Sequence, residues 1–122
     1  TASTRMFIER LFCYFSYKDI SGIFPRKIGV GLIYTMAAPE ERMKLFEGAF
    51  SFNRWWFTKL FGACQELYST DTFHVEDYAK IDADHMMPSV ERKQRHRQEV
   101  FPKDCEKAFE MGARFASKAP GT

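Results

Sequence analysis

The sequence is poor in cysteine. Its three thiols, Cys13, Cys64 and Cys105, are single, odd in number and widely spaced, and no C-x-x-C pair occurs in the 122 residues. Disulfide-stapled domains and zinc or iron–sulfur sites need cysteines in even sets or at ligand spacing. We therefore expect neither a disulfide framework nor a thiolate metal centre, and we expect the three cysteines to be small buried residues.

The chain also lacks a large charge excess and a long apolar run. The net charge is +2, which is too small to favour nucleic acid or an anionic membrane as a partner. No apolar run approaches the roughly 20 residues that cross a bilayer. No basic start followed by an apolar segment resembles a signal peptide. We accordingly predict a cytoplasmic protein without membrane or nucleic-acid partners.

Signatures of a catalytic or metal site are weak. A Ser-His-Asp triad is one alternative, but no G-x-S-x-G nucleophile turn occurs in the sequence. Asp82, Asp84 and His85 place two carboxylates and an imidazole within four residues, yet no second His or Cys is nearby, so a solvated loop is favoured over a metal site. The basic run 92–97 is flanked by glutamates at helical spacing. This pattern favours a solvated helix face over phosphate contacts.

Aromatic residues are abundant. They make up 16% of the chain, with 13 Phe concentrated between Phe7 and Phe24 and between Phe46 and Phe61. Buried aromatics are far commoner than aromatic binding surfaces, so a Phe-rich core is favoured over a ligand or subunit contact. The length and the 45% hydrophobic content are ordinary for one globular domain.

The segment 27–36 predicts the organising strand. Four aliphatic residues between positions 28 and 33 form a nearly continuous apolar run, which is typical of a parallel-sheet strand buried on both faces. Gly29 and Gly31 share one face of this strand, where the lack of side chains allows a helix or ligand to approach closely.

The remaining periodicity predicts helices around a second strand. We expect an amphipathic helix of about four turns from Thr1 or Ser3 to near Tyr17, and a long helix over 39–61 that is stopped at Gly62. A strand over 66–72 should follow. The chain should then form a polar helix over 88–100 and an amphipathic helix over 102–116. The predicted class is α/β, a parallel sheet with flanking helices in the order helix-strand-helix-strand-helix, with a right-handed crossover. Two strands are few for a sheet and leave bare edges. We infer that the chain is part of a larger domain or that another chain completes its sheet.

Ligands of open α/β sheets bind beyond the carboxyl ends of the strands. The first helix start and the two strand ends should therefore meet in one crevice, which would gather backbone amides, hydroxyls and an aromatic ring. The residues concerned are Thr1, Ala2, Ser3, Tyr34, Thr35, Met36, Thr70, Asp71 and Thr72. An equally favoured interpretation makes Tyr34 an ordinary strand residue and Thr35 a loop cap.

Several segments resemble a known family. TASTRMFIERL at 1–11 is similar to the helix start after the third strand in the NADPH-dependent FMN reductase and iron–sulfur flavoprotein-like branch of the flavodoxin superfamily. There a Thr or Ser, a small residue, two variable positions and a Lys or Arg precede F-x-[ED]-R-L. Similarity continues through 27–36, through DTF at 71–73, and through EVFPKDC and AFEMG between 99 and 112. Nearly the whole chain is covered.

The resemblance implies a flavodoxin-like doubly wound sheet that binds FMN and passes electrons between NAD(P)H and the flavin or an unknown electron acceptor. It also implies a homo-oligomer. Because the flavin carries the redox chemistry, no catalytic side chain is required. By position, the implied cofactor-binding residues are Thr1, Ala2 and Ser3 beside the isoalloxazine, Tyr34, Thr35 and Met36 on its pyrimidine side or face, and Asp71 and Thr72 on the substrate side.

The chain departs from that family in what it omits. The first βα turn, which holds the FMN phosphate, is absent, as are the first three strands and an iron–sulfur cysteine cluster. Residues 1–122 would then be the carboxy-terminal portion of one domain, and activity would belong to the complete protein. The alternative is a non-enzymatic interaction or oligomerisation module that uses Phe52, Trp55 and Trp56 as an aromatic helix face.

Overall fold

A computed structural model describes residues 2–73, 75–77, 80 and 87–117. Within these residues the chain forms four α-helices and a two-stranded parallel sheet, which confirms the predicted α/β class at that level. In chain order the elements are α1 (Ala2–Arg10), β1 (Ile28–Thr35), α2 (Glu47–Phe61), β2 (Gly62–Ser69), α3 (Met87–Glu99) and α4 (Phe101–Ser117). No helix in this described part is both long and apolar enough to cross a membrane.

The chain divides into two compact units. The first comprises Thr1–Val30 and Gly48–Gln65, and the second comprises Gly31–Glu47 and Glu66–Thr122. The division passes through both strands. Each unit therefore has its own set of packed side chains.

Aromatic packing dominates the first unit. Trp56 on α2 is 3% exposed, and its ring lies 4.3 Å from that of Phe15 between centroids. Phe24 packs edge-on against Phe61 at 5.0 Å. The buried set is Ile8, Phe15, Phe50, Trp56, Phe57, Leu60 and Phe61, in agreement with the Phe-rich core predicted from composition.

The first helix is shorter than predicted. α1 ends at Arg10, and a 3₁₀ helix follows over Leu11–Tyr14. Phe15 then adopts extended geometry and bridges to Gly22, which places its ring against Trp56. The prediction of four continuous turns to Tyr17 was wrong because this packing requires the chain to leave the helix before Phe15.

The long helix and the second strand are also displaced from their predicted bounds. Glu40–Phe46 is a 3₁₀ helix, and α2 begins only at Glu47. Gly62 stops α2 as predicted, with a φ of +99° that other residues rarely adopt. The same residue starts β2, so the strand covers Gly62–Ser69 rather than 66–72. It ends before Asp71, whose φ of +54° is incompatible with a continued strand.

In the second unit, α4 packs closely against β1. A side chain at Gly31 would place its Cβ 2.9 Å from Phe115 Cε2 and 3.1 Å from Met111 Cε. The predicted close approach to a glycine face of this strand is thus confirmed. The prediction that β1 is buried on both faces was wrong, since Ile28 and Ile33 are 42% and 54% exposed. Val30, Leu32 and Tyr34 are half-buried on one face of β1, whereas on the other face α4 approaches Gly31 but leaves Ile33 exposed.

The last two helices lie close to their predicted positions. α3 and α4 pack against each other, with Val100 between them. Pro102 occupies the first turn of α4, where its missing N–H leaves no helical hydrogen bond unmade. The ends of both helices agree with the predicted ends to within two residues, which is the ordinary scatter of helix boundaries.

The cysteines are not the buried residues that we expected. Cys13 and Cys105 are exposed and Cys64 is partly buried. Cys13 follows α1 in the 3₁₀ helix, and its thiol donates to Arg10 O at 3.3 Å. Cys105 lies on the solvent side of α4, one residue after the buried Asp104. Amphipathic spacing alone had placed it on the apolar face.

Candidate functional site

The second unit joins the ends of the two strands through their backbones. Met36 N–H donates to Ser69 O and Thr72 N–H donates to Met36 O, each at 3.0 Å. Asp71 N–H donates to Ala38 O at 3.0 Å. The loop after β1 and the loop after β2 therefore meet at one edge of the sheet, as expected for parallel strands.

The Asp71 carboxylate anchors these loops to α3. Arg92 donates from Nε to Oδ2 at 2.7 Å and from Nη2 to Oδ1 at 2.9 Å, the bidentate geometry typical of strong Arg–carboxylate pairs. Burial acts to raise the pKa of Asp71, but hydrogen bonds from Arg92 and Lys93 and their charges outweigh it and hold that pKa below its usual value. The same hydrogen bond raises the pKa of Arg92.

Lys93 of α3 donates hydrogen bonds to both loops. Its side chain is 3% exposed, and its ammonium donates to Thr72 O at 3.1 Å, to Asp71 Oδ1 at 3.3 Å and to Ala37 O. Three acceptors satisfy its three donors, which is what a buried ammonium requires. The predicted solvated face of the run 92–97 is confirmed for the exposed Arg95 and Arg97 but was wrong for Lys93, which is directed inward by this pairing.

A cavity of about 220 Å³ opens beside the joined loops. The Arg97 guanidinium carbon lies 5.5 Å from the Phe73 ring centroid and 5.9 Å from that of Phe101, so the cation is held against two aromatic faces. The cavity is lined by Thr35, Asp71, Thr72, Phe73, His96, Arg97 and Phe101. Hydroxyls, aromatic rings and a cation thus converge at the carboxyl edge of the strands.

The predicted site residues fall into three groups. Thr35, Asp71 and Thr72 line the cavity. Tyr34 and Met36 lie just beside them, Met36 through its backbone hydrogen bonds and Tyr34 with its ring stacked on Tyr68 at 5.4 Å. The remaining residues are at the start of α1, where Ala2 and Ser3 belong to the first unit and Thr1 lies outside the described residues. Their convergence with the strand ends stays a prediction.

Sequence reasoning missed the contributions of α3, Phe73 and α4. Lys93 and Arg92 lie 22 and 21 residues from Asp71, and no local pattern marks such a pairing. Phe73 had a usable signal, because it directly follows the loop after β2. Arg97 and Phe101 are four positions apart across the junction of α3 and α4, a spacing that indicates proximity only once the helices are known.

The cavity is too small to enclose a whole FMN molecule. Its volume lies below the roughly 300–1,000 Å³ of sites that enclose a whole drug-sized ligand. Aromatic walls and Thr hydroxyls suit the polar edge of a flat ring system, although Arg97 already covers Phe73 and Phe101. A ring must therefore lie against the guanidinium or displace it. The described residues include no glycine-rich turn before a helix that would hold a phosphate.

The acidic segment with Asp82, Asp84 and His85 lies outside the described residues. In the part of the chain that the structure describes, no three His, Cys, Asp or Glu side chains surround a possible metal position. A second cavity of about 330 Å³ gathers Glu40, Glu66 and Asp104. Lys107 also lines it and donates to Asp104 at 3.3 Å, so one of these carboxylates is already paired.

Comparison with known proteins gives no relative: no family model, no curated protein and no solved structure matches the chain.

Proposed function

We propose that the complete protein is an FMN-binding, NAD(P)H-dependent oxidoreductase of flavodoxin-like fold, and that this chain borders the isoalloxazine. The supporting observation is the junction of the two strand-end loops beside the cavity lined by Thr35 and Thr72. We assign FMN as the cofactor because segments 1–11, 27–36 and 99–112 resemble FMN reductases. A cytoplasmic location, where NAD(P)H is available, belongs to this proposal.

In this proposal the protein positions the flavin and the flavin, when bound, supplies the redox chemistry. Thr35 and Thr72 provide hydroxyls, and the backbone around Met36 provides polar contacts at the edge of the ring. Asp71 acts on the loop rather than on the cofactor, because Arg92 and Lys93 occupy its carboxylate. Ala2 and Ser3 are assigned to the same site by the resemblance alone. The partners are NAD(P)H and an electron acceptor.

A flavin titration tests the proposal. FMN is titrated into the 122-residue chain and into the full-length gene product, with flavin fluorescence and absorbance as readouts, followed by NADH and NADPH oxidation. We expect the full-length product to bind FMN and the short chain to bind it weakly, since a phosphate anchor is needed. Absence of any flavin response or NAD(P)H oxidation in the full-length product contradicts the proposal.

A pair of threonine variants locates the flavin. Thr72→Val removes a cavity hydroxyl while keeping the side-chain volume, and Thr58→Val makes the same change on the exposed surface of α2. Loss of one hydrogen bond of about 0.5–1.5 kcal/mol should weaken FMN binding about two- to tenfold for Thr72→Val. Equal affinities for the two variants contradict placement of the flavin at this cavity.

The alternative function is an interaction module on α2. Phe52 and Trp55 are 42% and 43% exposed, and their rings lie 6.3 Å apart, so an aromatic surface exists in the first unit. Trp56, which we had assigned to that surface, is a core residue at 3% exposure. The surface is therefore narrower than predicted, and it is compatible with an oligomeric flavin enzyme.

A further inference from the structure

Among the described residues that line the cavity, Arg97 is a cation without a paired carboxylate. Asp71, the carboxylate among the described lining residues, is shared between Arg92 and Lys93. Among the described residues, no carboxylate pairs with Arg97 and no acceptor takes its N–H donors. The position in the last turn of α3 favours a positive charge, but it does not explain why the charge faces a cavity.

The surroundings hold this guanidinium in place. Phe73 and Phe101 contact it from two elements, at 5.5 and 5.9 Å from their ring centroids. Such contacts restrict the rotamers of a long side chain without using its hydrogen-bond donors. The entropy normally lost when Arg binds an anion is thereby reduced.

Further donors line the same cavity. The Thr72 backbone is already bonded to Met36 and Lys93, which fixes the position of its side chain, and the Thr72 hydroxyl has no partner among the described residues. Thr35 and His96 add a hydroxyl and an imidazole. A planar fork of N–H groups with neighbouring hydroxyls is the donor arrangement that suits the oxygens of a phosphate.

From this arrangement we infer that the cavity binds a phosphate group, with Arg97 as its principal contact and the Thr35 and Thr72 hydroxyls as secondary donors. The inference goes beyond the proposed function and stands without a flavin, because its principal contact, Arg97, has no role in the proposed flavin site; the Thr35 and Thr72 hydroxyls would serve one ligand at a time. A volume of about 220 Å³ admits a phosphate with a small attached group but not a whole dinucleotide.

The test is isothermal titration of inorganic phosphate and of ribose 5-phosphate into the 122-residue chain, without flavin or nicotinamide nucleotide and at constant ionic strength. Arg97→Gln is compared with Arg95→Gln, which removes the same charge from an exposed position on α3 with no described partner. We expect Arg97→Gln to raise the Kd about tenfold or more, the loss typical of a charge-assisted hydrogen bond, and Arg95→Gln to change it less than about twofold, as for a screened surface charge. Arg97→Lys should give an intermediate Kd, since it keeps the charge without the planar fork.

Tighter binding of ribose 5-phosphate identifies a phosphorylated metabolite as the ligand, and equal binding identifies the phosphate group alone. Both results support the site. It is overturned if the unaltered chain binds neither probe, or if Arg97→Gln and Arg95→Gln weaken binding equally, which is the signature of diffuse charge. Far-UV circular dichroism checks folding, and Thr72→Val, which keeps all charges, should weaken binding independently. Phosphate binding without FMN binding by the full-length product would leave this inference standing while the proposed function fails.

Discussion

At the scale of single residues, Lys93 is a charge that folding removes almost completely from water. It replaces its hydration with three acceptors from two loops. We predict that Lys93→Met lowers the free energy of unfolding by about 2–3 kcal/mol, because two carbonyls and half of the Asp71 pairing lose their donor. The loss stays below that of a fully broken buried pair since Arg92 still neutralises Asp71. Urea unfolding measures it.

The matched control for that prediction is Lys103→Met. Lys103 is exposed on α4 and has no partner among the described residues. The change should alter stability by no more than about 0.5 kcal/mol, as for ordinary surface substitutions. Similar effects of the two substitutions would show that the Lys93 contacts add no net stability.

The lowered pKa of Asp71 predicts how the stability of the protein depends on pH. Its folded-state pKa is held below the unfolded value of about 3.9, so its contribution to stability is complete above that value and is lost as the pH falls toward the lowered folded pKa. Asn tolerates the left-handed backbone geometry at this position. Asp71→Asn should therefore cost about 2 kcal/mol near pH 7 and progressively less below pH 4. Urea unfolding between pH 7 and pH 3 checks this, and a constant difference over that range contradicts it.

The residues of the site were predictable to different degrees. Thr35, Asp71 and Thr72 follow strands, and the edge rule for parallel sheets brings them together without knowledge of any other element. Lys93 and Arg97 carry no such signal, because a basic residue in a polar helix is ordinarily solvated. Their direction depends on how α3 packs against the loops, and this is settled by contacts more than 20 residues away along the chain.

At the scale of elements, the contact between β1 and α4 depends on a missing side chain. A Cβ at Gly31 would contact Phe115 at 2.9 Å and Met111 at 3.1 Å. Gly31→Val should therefore displace the ends of the Phe115 and Met111 side chains and destabilise the protein by about 1 kcal/mol, the low end of the range for overpacked sites. Thermal unfolding provides the measurement.

Gly112 offers the control within α4. A Cβ there would contact nothing within 4 Å, and the residue lies in the helix interior. Gly112→Ala should stabilise the protein by about 0.5–1 kcal/mol, because Ala loses less backbone entropy in a helix. Stabilisation by Gly31→Val would mean that β1 and α4 do not pack as described.

The type of an element was predictable where a helical pattern of residues continues over many positions. α3 and α4 agree with their patterns to within two residues, since Pro102 marks the break between them. The start of β2 was misplaced because Gly62 ends a helix and begins a strand in one step, with no loop composition between them. The end of α1 was misplaced because the ring of Phe15 packs on Trp56. These two residues are 41 positions apart in the sequence, and local hydrophobic periodicity carries no information about such a contact.

At the scale of the whole molecule, the described residues form a two-stranded sheet that leaves backbone edges within that part of the chain, as the sequence pattern implied. The number and order of strands in a complete sheet depend on long-range pairing, so a flavodoxin-like topology stays a prediction. Ile33 of β1 is 54% exposed, as expected for a strand with one face that is incompletely covered. A further segment or a second chain against that face would bury it.

Assembly gives the prediction at this scale. Trp55 and Phe52 form an exposed aromatic pair on α2, and such residues often anchor subunit contacts. If the protein is a homo-oligomer through this pair, Trp55→Ala should shift the assembly toward the monomer and weaken association at least about tenfold, the 1.4 kcal/mol that a modest hot spot exceeds. Light scattering coupled to size-exclusion chromatography over a concentration series measures this.

Tyr17→Ala is the control for that experiment, because Tyr17 is an aromatic residue of the first unit that is 90% exposed and lies outside α2. Loss of oligomers in Trp55→Ala with FMN binding retained separates subunit contact from flavin binding and makes the α2 surface a subunit interface. Loss of both in a folded variant makes assembly a condition of flavin binding, as expected if a second copy completes the site. An assembly state that is unchanged in Trp55→Ala, and also in Phe52→Ala, removes the interaction-module alternative and leaves the cavity in the second unit as the candidate functional surface.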